Sequence, residues 1–213
     1  GGGGYAIYSI GGYGGGVIQL TAGGTLQVDG RISANGANGS GSGGGGGSGG
    51  GVILNAGLLA GNGTISANGG DGAYAIGGGG GGGRIAILFN TNLFGGNITA
   101  YGGGGASFGG AGTYFLKPPA SSPGTVVVDN ANHNGADSSV QSSSSINLTV
   151  QNGGLLFASG SYSLANLLVN TNGSFLVSTT SLPATLSLTA GNITVQPGGV
   201  ISGGFVSPWI GMR

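Results

Sequence analysis

The sequence contains no cysteine and no glutamate. Its side chains charged near neutral pH are Asp29, Asp71, Asp129 and Asp137 against Arg31, Arg84, Lys117 and Arg213, with His133 the one histidine. Without cysteine there is no disulfide framework and no thiolate metal site. Most enzymes draw on paired carboxylates, histidines, thiols or metals, so the chain reads as non-enzymatic and free of cofactors. Nucleic-acid binding rests on phosphate neutralisation by a basic surface, which four scattered cations do not supply. No apolar run reaches the roughly 18 residues that suggest a transmembrane helix. Residues 1–4, all glycine, show no initiator Met, basic segment or apolar segment. The expectation is a removed leader or a start inside a longer protein.

Charged residues make up 4% of the chain and the net charge is zero, against about 25% charged residues in typical soluble domains. A net charge near zero favours association. The chain is therefore expected to assemble with copies of itself or to be kept soluble by covalent glycans.

Glycine is abundant, at 57 of 213 residues. A flexible linker is one reading of such a composition. Against it, β-branched and apolar segments interrupt the glycine runs at 17–20, 25–28, 51–54, 84–89 and 125–128. Mean hydropathy is +0.28, unlike the low hydrophobicity of disordered chains. No sustained helical periodicity occurs, so the class expected is all-β. Residues 1–116 hold 45 of the glycines and residues 117–213 hold 12. The change falls at a Pro/Ser-rich junction, residues 117–124, where a central strand cannot continue. The predicted organisation is glycine-rich repeats over 1–116, the junction over 117–124, and a β-rich region with shorter repeats over 125–213.

An internal repeat is the strongest signal. Gly-Arg-Ile-Ser-Ala-Asn-Gly at 30–36 matches Gly-Thr-Ile-Ser-Ala-Asn-Gly at 63–69 and Gly-Asn-Ile-Thr-Ala-Tyr-Gly at 96–102, which places Ile32, Ile65 and Ile98 33 residues apart. A preceding strand recurs around Ile18, Ile53 and Ile85, with turns expected near Gly57 and Gly95–Gly96. Such a period suits a solenoid whose equivalent strands stack in parallel. The fold predicted is a parallel β-helix with stacked, polyglycine-helix-like excursions, continuing into a narrower β-helical half. A β-sandwich is the alternative for that second half. Val17, Ile53, Ile65 and Ile85 are expected to point inward, and Asn35 and Asn68 to form a side-chain ladder or to occupy turns, ligand binding being the alternative. The excursions at 36–51, 69–83 and 102–112 are expected to pack through backbone hydrogen bonds, mobile spacer loops being the alternative.

Gly-Thr-Ile-Ser-Ala-Asn-Gly-Gly at 63–70, followed by Gly-Gly-Gly-Gly-Arg-Ile-Ala-Ile at 80–87, resembles the glycine-rich parallel β-helical repeats of large microbial surface and secreted proteins. The resemblance covers about residues 11–116 and implies an adhesin, sheath component or fibre-forming subunit. It supplies no catalytic motif.

Asp71, in Gly-Gly-Asp-Gly-Ala-Tyr at 69–74, superficially suggests a calcium-binding repeat, but such repeats need regularly recurring aspartates. Asp29-Gly30 and Asp71-Gly72 read better as turns. The glycines at 77–83 precede a strand and no Gly-Lys-Ser or Gly-Lys-Thr occurs, which excludes a phosphate loop. His133, between Asp129 and Asp137, reads as part of a polar loop, with an acid–base or metal site as the alternative. Six N-glycosylation acceptors match at Asn38, Asn62, Asn97, Asn147, Asn172 and Asn192. Tyr5, Tyr8, Tyr13, Tyr74, Tyr101 and Phe108 lie in or beside glycine segments, and Trp209 in an aromatic stretch near the end. These are candidates for lobe packing or subunit contacts, pinning of each loop and carbohydrate stacking being the alternatives. The expected function is a structural subunit of an extracellular filament or cell-surface fibre, a homopolymer with covalent glycans. The alternatives are a monomeric adhesin or glycan-binding module and a polysaccharide-acting β-helix enzyme.

Overall fold

A computed structural model of the chain describes residues 8–74, 76–119, 122–177 and 185–203. Fourteen strands and no helix occur among them: β1 (Val17–Gln27), β2 (Arg31–Ser33), β3 (Gly51–Gly61), β4 (Thr64–Ser66), β5 (Arg84–Phe94), β6 (Asn97–Thr99), β7 (Thr113–Lys117), β8 (Gly124–Asp129), β9 (Ser143–Gln151), β10 (Leu155–Ala158), β11 (Gly160–Val169), β12 (Ser174–Val177), β13 (Leu186–Val195) and β14 (Val200–Ser202). They form one eight-stranded sheet, ordered β1-β3-β5-β7-β8-β9-β11-β13, and two three-stranded sheets, β2-β4-β6 and β10-β12-β14.

The repeat appears as register. Ile32 pairs with Ile65 and Ile65 with Ile98, while Leu54 lies between Leu20 and Ile87. The β-helix running through both halves is nevertheless not what the chain builds. The large sheet is mixed: β1, β3, β5 and β7 are parallel, β7 and β8 are antiparallel, and β8, β9, β11 and β13 are parallel again. The cause is the short connection at the junction. β7 ends at Lys117 and β8 begins at Gly124, whereas a parallel crossover needs about a dozen residues or more. A short, proline-containing link permits only the antiparallel neighbour.

The reversal also moves the core across the sheet. Directly opposed residues of an antiparallel pair share a face. Phe115, opposite Val126, packs with the cluster of Val128, Leu148, Val150, Leu167 and Phe175. Tyr114 and Leu116 pack with the other cluster, built on Val52, Leu54, Ile65, Ile85 and Ile87. The two cores therefore lie on opposite faces of one sheet. Parallel crossovers are right-handed in about 98% of cases. Two halves of the same hand, with strands reversed but progressing in the same direction, must carry their crossovers on opposite faces.

Two finer expectations are also corrected. Val17 and Ile53 point outward, while Ile65 and Ile85 are buried and Val52 is the inward residue of its strand. Val17-Ile18 and Val52-Ile53-Leu54 are apolar at consecutive positions, so the pattern leaves parity open, and a one-residue slip flips the faces. Gly57 is not a turn but lies inside β3. A Cβ there would come within 2.5 Å of the Gly23 carbonyl oxygen, so close strand approach explains the glycine.

Candidate functional site

The glycine segments form a lobe beside the sheet. Outgoing arms run over 34–39, 67–72 and 100–104, and returning arms over 10–16, 44–50, 77–83 and 107–112. Bonding repeats every third residue. Gly12 and Gly15 donate to the carbonyls of Gly45 and Ser48, Gly46 and Gly49 to those of Gly78 and Gly81, and Gly79 and Gly82 to those of Ser107 and Gly110, all at 2.8–2.9 Å. Three residues per turn is the period of extended polyproline-II-like backbone. A second set crosses between arms, as in Gly47 to Ala37, Gly70 to Gly47, Gly80 to Gly70 and Gly103 to Gly80. The arms approach so closely that a Cβ on Gly80 would lie 2.0 Å from the Gly47 carbonyl oxygen.

Side chains appear where a position faces outward. The Asn68 N–H donates to Asn35 Oδ1 and the Tyr101 N–H to Asn68 Oδ1, both at 2.8 Å. The Asp71 and Gly104 amides repeat this on Asn38 and Asp71 at 2.7 Å. These are side-chain-to-backbone ladders and not the expected amide stack between Asn35 and Asn68. An amide-to-amide stack does occur in the second half, where Asn192 Nδ2 donates to Asn166 Oδ1 and Asn166 Nδ2 to Asn147 Oδ1, each at 2.7 Å.

The lobe is covered on one side by residues 130–138. Asn130 Oδ1 accepts from the Gly102 N–H, Asn130 Nδ2 donates to the Gly109 carbonyl, and Ser138 Oγ donates to the Ala111 carbonyl. His133 stacks on Phe108 with ring centroids 4.1 Å apart. Sequence reasoning missed Asn130 and Ser138, because their partners are backbone groups of a distant segment. The opposite side, residues 10–16, differs. Gly11 and Gly14 sit where Gly45 and Ser48 sit one layer on, but their carbonyls accept no hydrogen bond among the described residues.

A groove of about 320 Å³ beside this cover is lined by Asp71, Tyr101, Phe108 and His133. Burial and then the Asp129 charge raise the Tyr101 pKa. The Asp129 carboxylate is held by Gln151, Asn152 and the Ala131 N–H, with no bond to His133. No group of three or more His, Asp or Glu residues able to hold a metal occurs among the described residues.

Of the sequon asparagines, Asn38, Asn62, Asn97 and Asn192 are exposed and Asn147 and Asn172 half-buried. Asn172 adopts a positive φ of 55° in a turn. Tyr8, Tyr13 and Tyr74 project into solvent, Tyr101 is half-buried and Phe108 borders the groove. Tyr5 and Trp209 lie outside the described residues.

The two outer edges of the large sheet carry the most distinctive chemistry. Edge strands normally bear a charge, a proline or another block against further pairing. β1 has a register irregularity between Ala22 and Thr25, but neither β1 nor β13 contains a charged residue or a proline. Among the described residues the core columns also end uncovered. Val195 is 48% exposed, whereas Val169, Val150 and Val128 of the same column are at 0%. Leu20 is exposed at the other edge, above buried Leu54 and Ile87.

No helix among the described residues is long and apolar enough to cross a membrane. Compared with family models, curated proteins and solved structures, the chain finds no match in any of the three.

Proposed function

We propose that the chain is a non-enzymatic structural subunit of an extracellular filament or cell-surface fibre, assembled through contacts between copies and carrying glycans at some of its sequons. The observation that supports this reading is the pair of edge strands without charge or proline, β1 and β13. A strand edge presents unpaired N–H and C=O groups that another chain can complete. Near-zero net charge removes the long-range repulsion that keeps monomers apart. Glycans at exposed Asn38, Asn62 and Asn97 would supply the hydration that charged side chains do not.

A monomeric adhesin or glycan-binding module is the second reading. It is favoured by Tyr8, Tyr13 and Tyr74, which stand exposed on the lobe with apolar rings and polar tips. Electron microscopy of the untreated native material separates the two: the proposal expects polymers of constant width, and isolated particles of 20.0 kDa would overturn it. Intact-mass measurement tests the glycans independently.

A further inference from the structure

We infer that the β13–β14 end of the molecule docks onto the same end of a second copy, about a twofold axis perpendicular to the sheets. This rests on the reading of the chain as an assembling subunit and specifies one of its contacts. The end layer carries four exposed apolar side chains, Ile193, Val195, Val200 and Ile201. Three of them continue a buried column: Ile193 follows Leu167, Val195 follows Val169 and Ile201 follows Phe175. These three therefore have a buried member directly beneath, and among the described residues no layer lies above them.

The occupant is set by three observations. First, residues 185–203 contain no ionisable side chain, so two copies of this surface meet without like-charge repulsion. Second, Ile193, Val195 and Ile201 continue the columns of Leu167, Val169 and Phe175, which pack in one core cluster. Their exposed ends therefore share one patch, while Val200 lies on the other side of β14 from Ile201. A twofold axis through that patch sets Ile193 of one copy against Val195 of the other on the same face. An isologous contact requires this self-complementarity. Third, the axis preserves the face on which the core lies. A head-to-tail neighbour would bring β1 against β13, also antiparallel, but its core lies on the opposite face. The outward residues Gln19 and Thr21 would then face Ile193 and Val195, and β14 would stay unpaired. Pairing β13 with β13 and β14 with β14 continues both sheets and the core at once.

Two consequences follow. An isologous contact at this end gives a dimer, and a filament needs a second contact at the β1 end. Asn192 lies within the docking strand, so a glycan there and the dimer contact exclude each other.

The absence of cysteine allows a direct test with the full chain. A Thr194→Cys variant, outward-facing near the axis, is expected to form a disulfide-linked dimer with itself under mild oxidation, and Ile193→Lys is expected to abolish dimers. Mixing Thr194→Cys with Thr21→Cys in the presence of a short bis-maleimide gives a decisive comparison. A mixed product without the Thr194–Thr194 product overturns the twofold contact and leaves the polymer reading standing. Monomers that do not cross-link, on material that also shows no polymer, overturn both. The rival occupant is the segment 204–213, which carries Phe205, Ile210 and the sole tryptophan, Trp209. Blue-shifted Trp209 emission in an uncross-linked monomer would show that segment covering the end and would overturn the proposal.

Discussion

The packing of the glycine lobe is most sharply tested by adding one methyl group at two adjacent positions. At Gly80 a Cβ would lie 2.0 Å from the Gly47 carbonyl oxygen and 2.5 Å from its carbon. The same residue donates its N–H to Gly70 at 2.9 Å and accepts from Gly103 at 2.8 Å. At Gly81 the nearest atom is 3.9 Å away. Overpacking of this kind costs about 1–3 kcal/mol, and displacement of the arm weakens two backbone bonds worth about 1 kcal/mol each. Gly80→Ala is therefore expected to destabilise by about 3–5 kcal/mol. Gly81→Ala meets no clash and reduces the freedom of the unfolded chain, which stabilises by about 0.4–1 kcal/mol. For a chain of this size 1 kcal/mol shifts Tm by about 2–4 °C. Thermal unfolding followed by circular dichroism should then show Gly80→Ala lower by about 6–20 °C and Gly81→Ala unchanged or slightly higher. If the two variants melt together, the arms are spacers without fixed partners and the account of the lobe is wrong.

Other outcomes follow from the same contacts. Leu54→Ala, in a fully buried site, should cost about 2–5 kcal/mol, while Leu20→Ala in the same column should cost far less in the monomer; equal losses in urea unfolding would contradict the uncovered end layer. Asn68→Ala removes the acceptor for the half-buried Tyr101 N–H and should cost about 1–3 kcal/mol, read by the same assay. Burial raises the pKa of Tyr101, Tyr114 and Tyr162. A raised folded pKa means stability fully present below the unfolded value near 10 and lost as pH rises through the folded value. Alkaline unfolding should therefore set in above about pH 10 and move to higher pH in Tyr162→Phe. Asp29 works in the opposite sense. The Gln27 side chain and then the Asn62 N–H lower its pKa, so its contribution is present above the unfolded value and fades as pH falls through the folded one. An acid titration should show the parent's advantage over Asp29→Asn at and above about pH 4, and its disappearance at lower pH.

The sequence carried the stacking of the first half plainly, because identical residues at a fixed offset are what in-register parallel strands require. Ile32, Ile65 and Ile98 were readable as one column, and Asn35 and Asn68 as equivalents. Strand parity was not readable where apolar residues adjoin, as at Val52-Ile53-Leu54. The partners of Asn35 and Asn68 were missed for a different reason. An asparagine oxygen one layer away from a free amide accepts from it as readily as from another side chain, and only coordinates show which is nearer. The Pro-rich junction was visible as a break, but its consequence was not. The break sets the length of a link, and the link length decides the direction of the next strand and, with handedness, the face on which the second core forms.

That switch of face bears on how few charges the chain carries. In the lobe, two positions of every three, such as Gly79 and Gly80 or Gly82 and Gly83, face another backbone at a distance no side chain tolerates. Only the third position can carry a functional group. There the chain places Asn38 and Asp71, whose oxygens complete the neighbouring layer. In the sheet, residues 138–203 hold no Asp, Glu, Lys, Arg or His at all. Solubility is thus left to groups that layered backbone packing does not consume. Outward positions of the edge strands are such groups, and they are Ser187, Thr189 and Thr194 in β13. Introducing lysine at Thr189 and Thr194 together adds the edge charge that monomeric sheet proteins use without touching the core. Sedimentation of this variant should show monomer where the parent sediments as larger species. Unchanged sedimentation with an unchanged Tm would mean that association does not pass through the β13 edge.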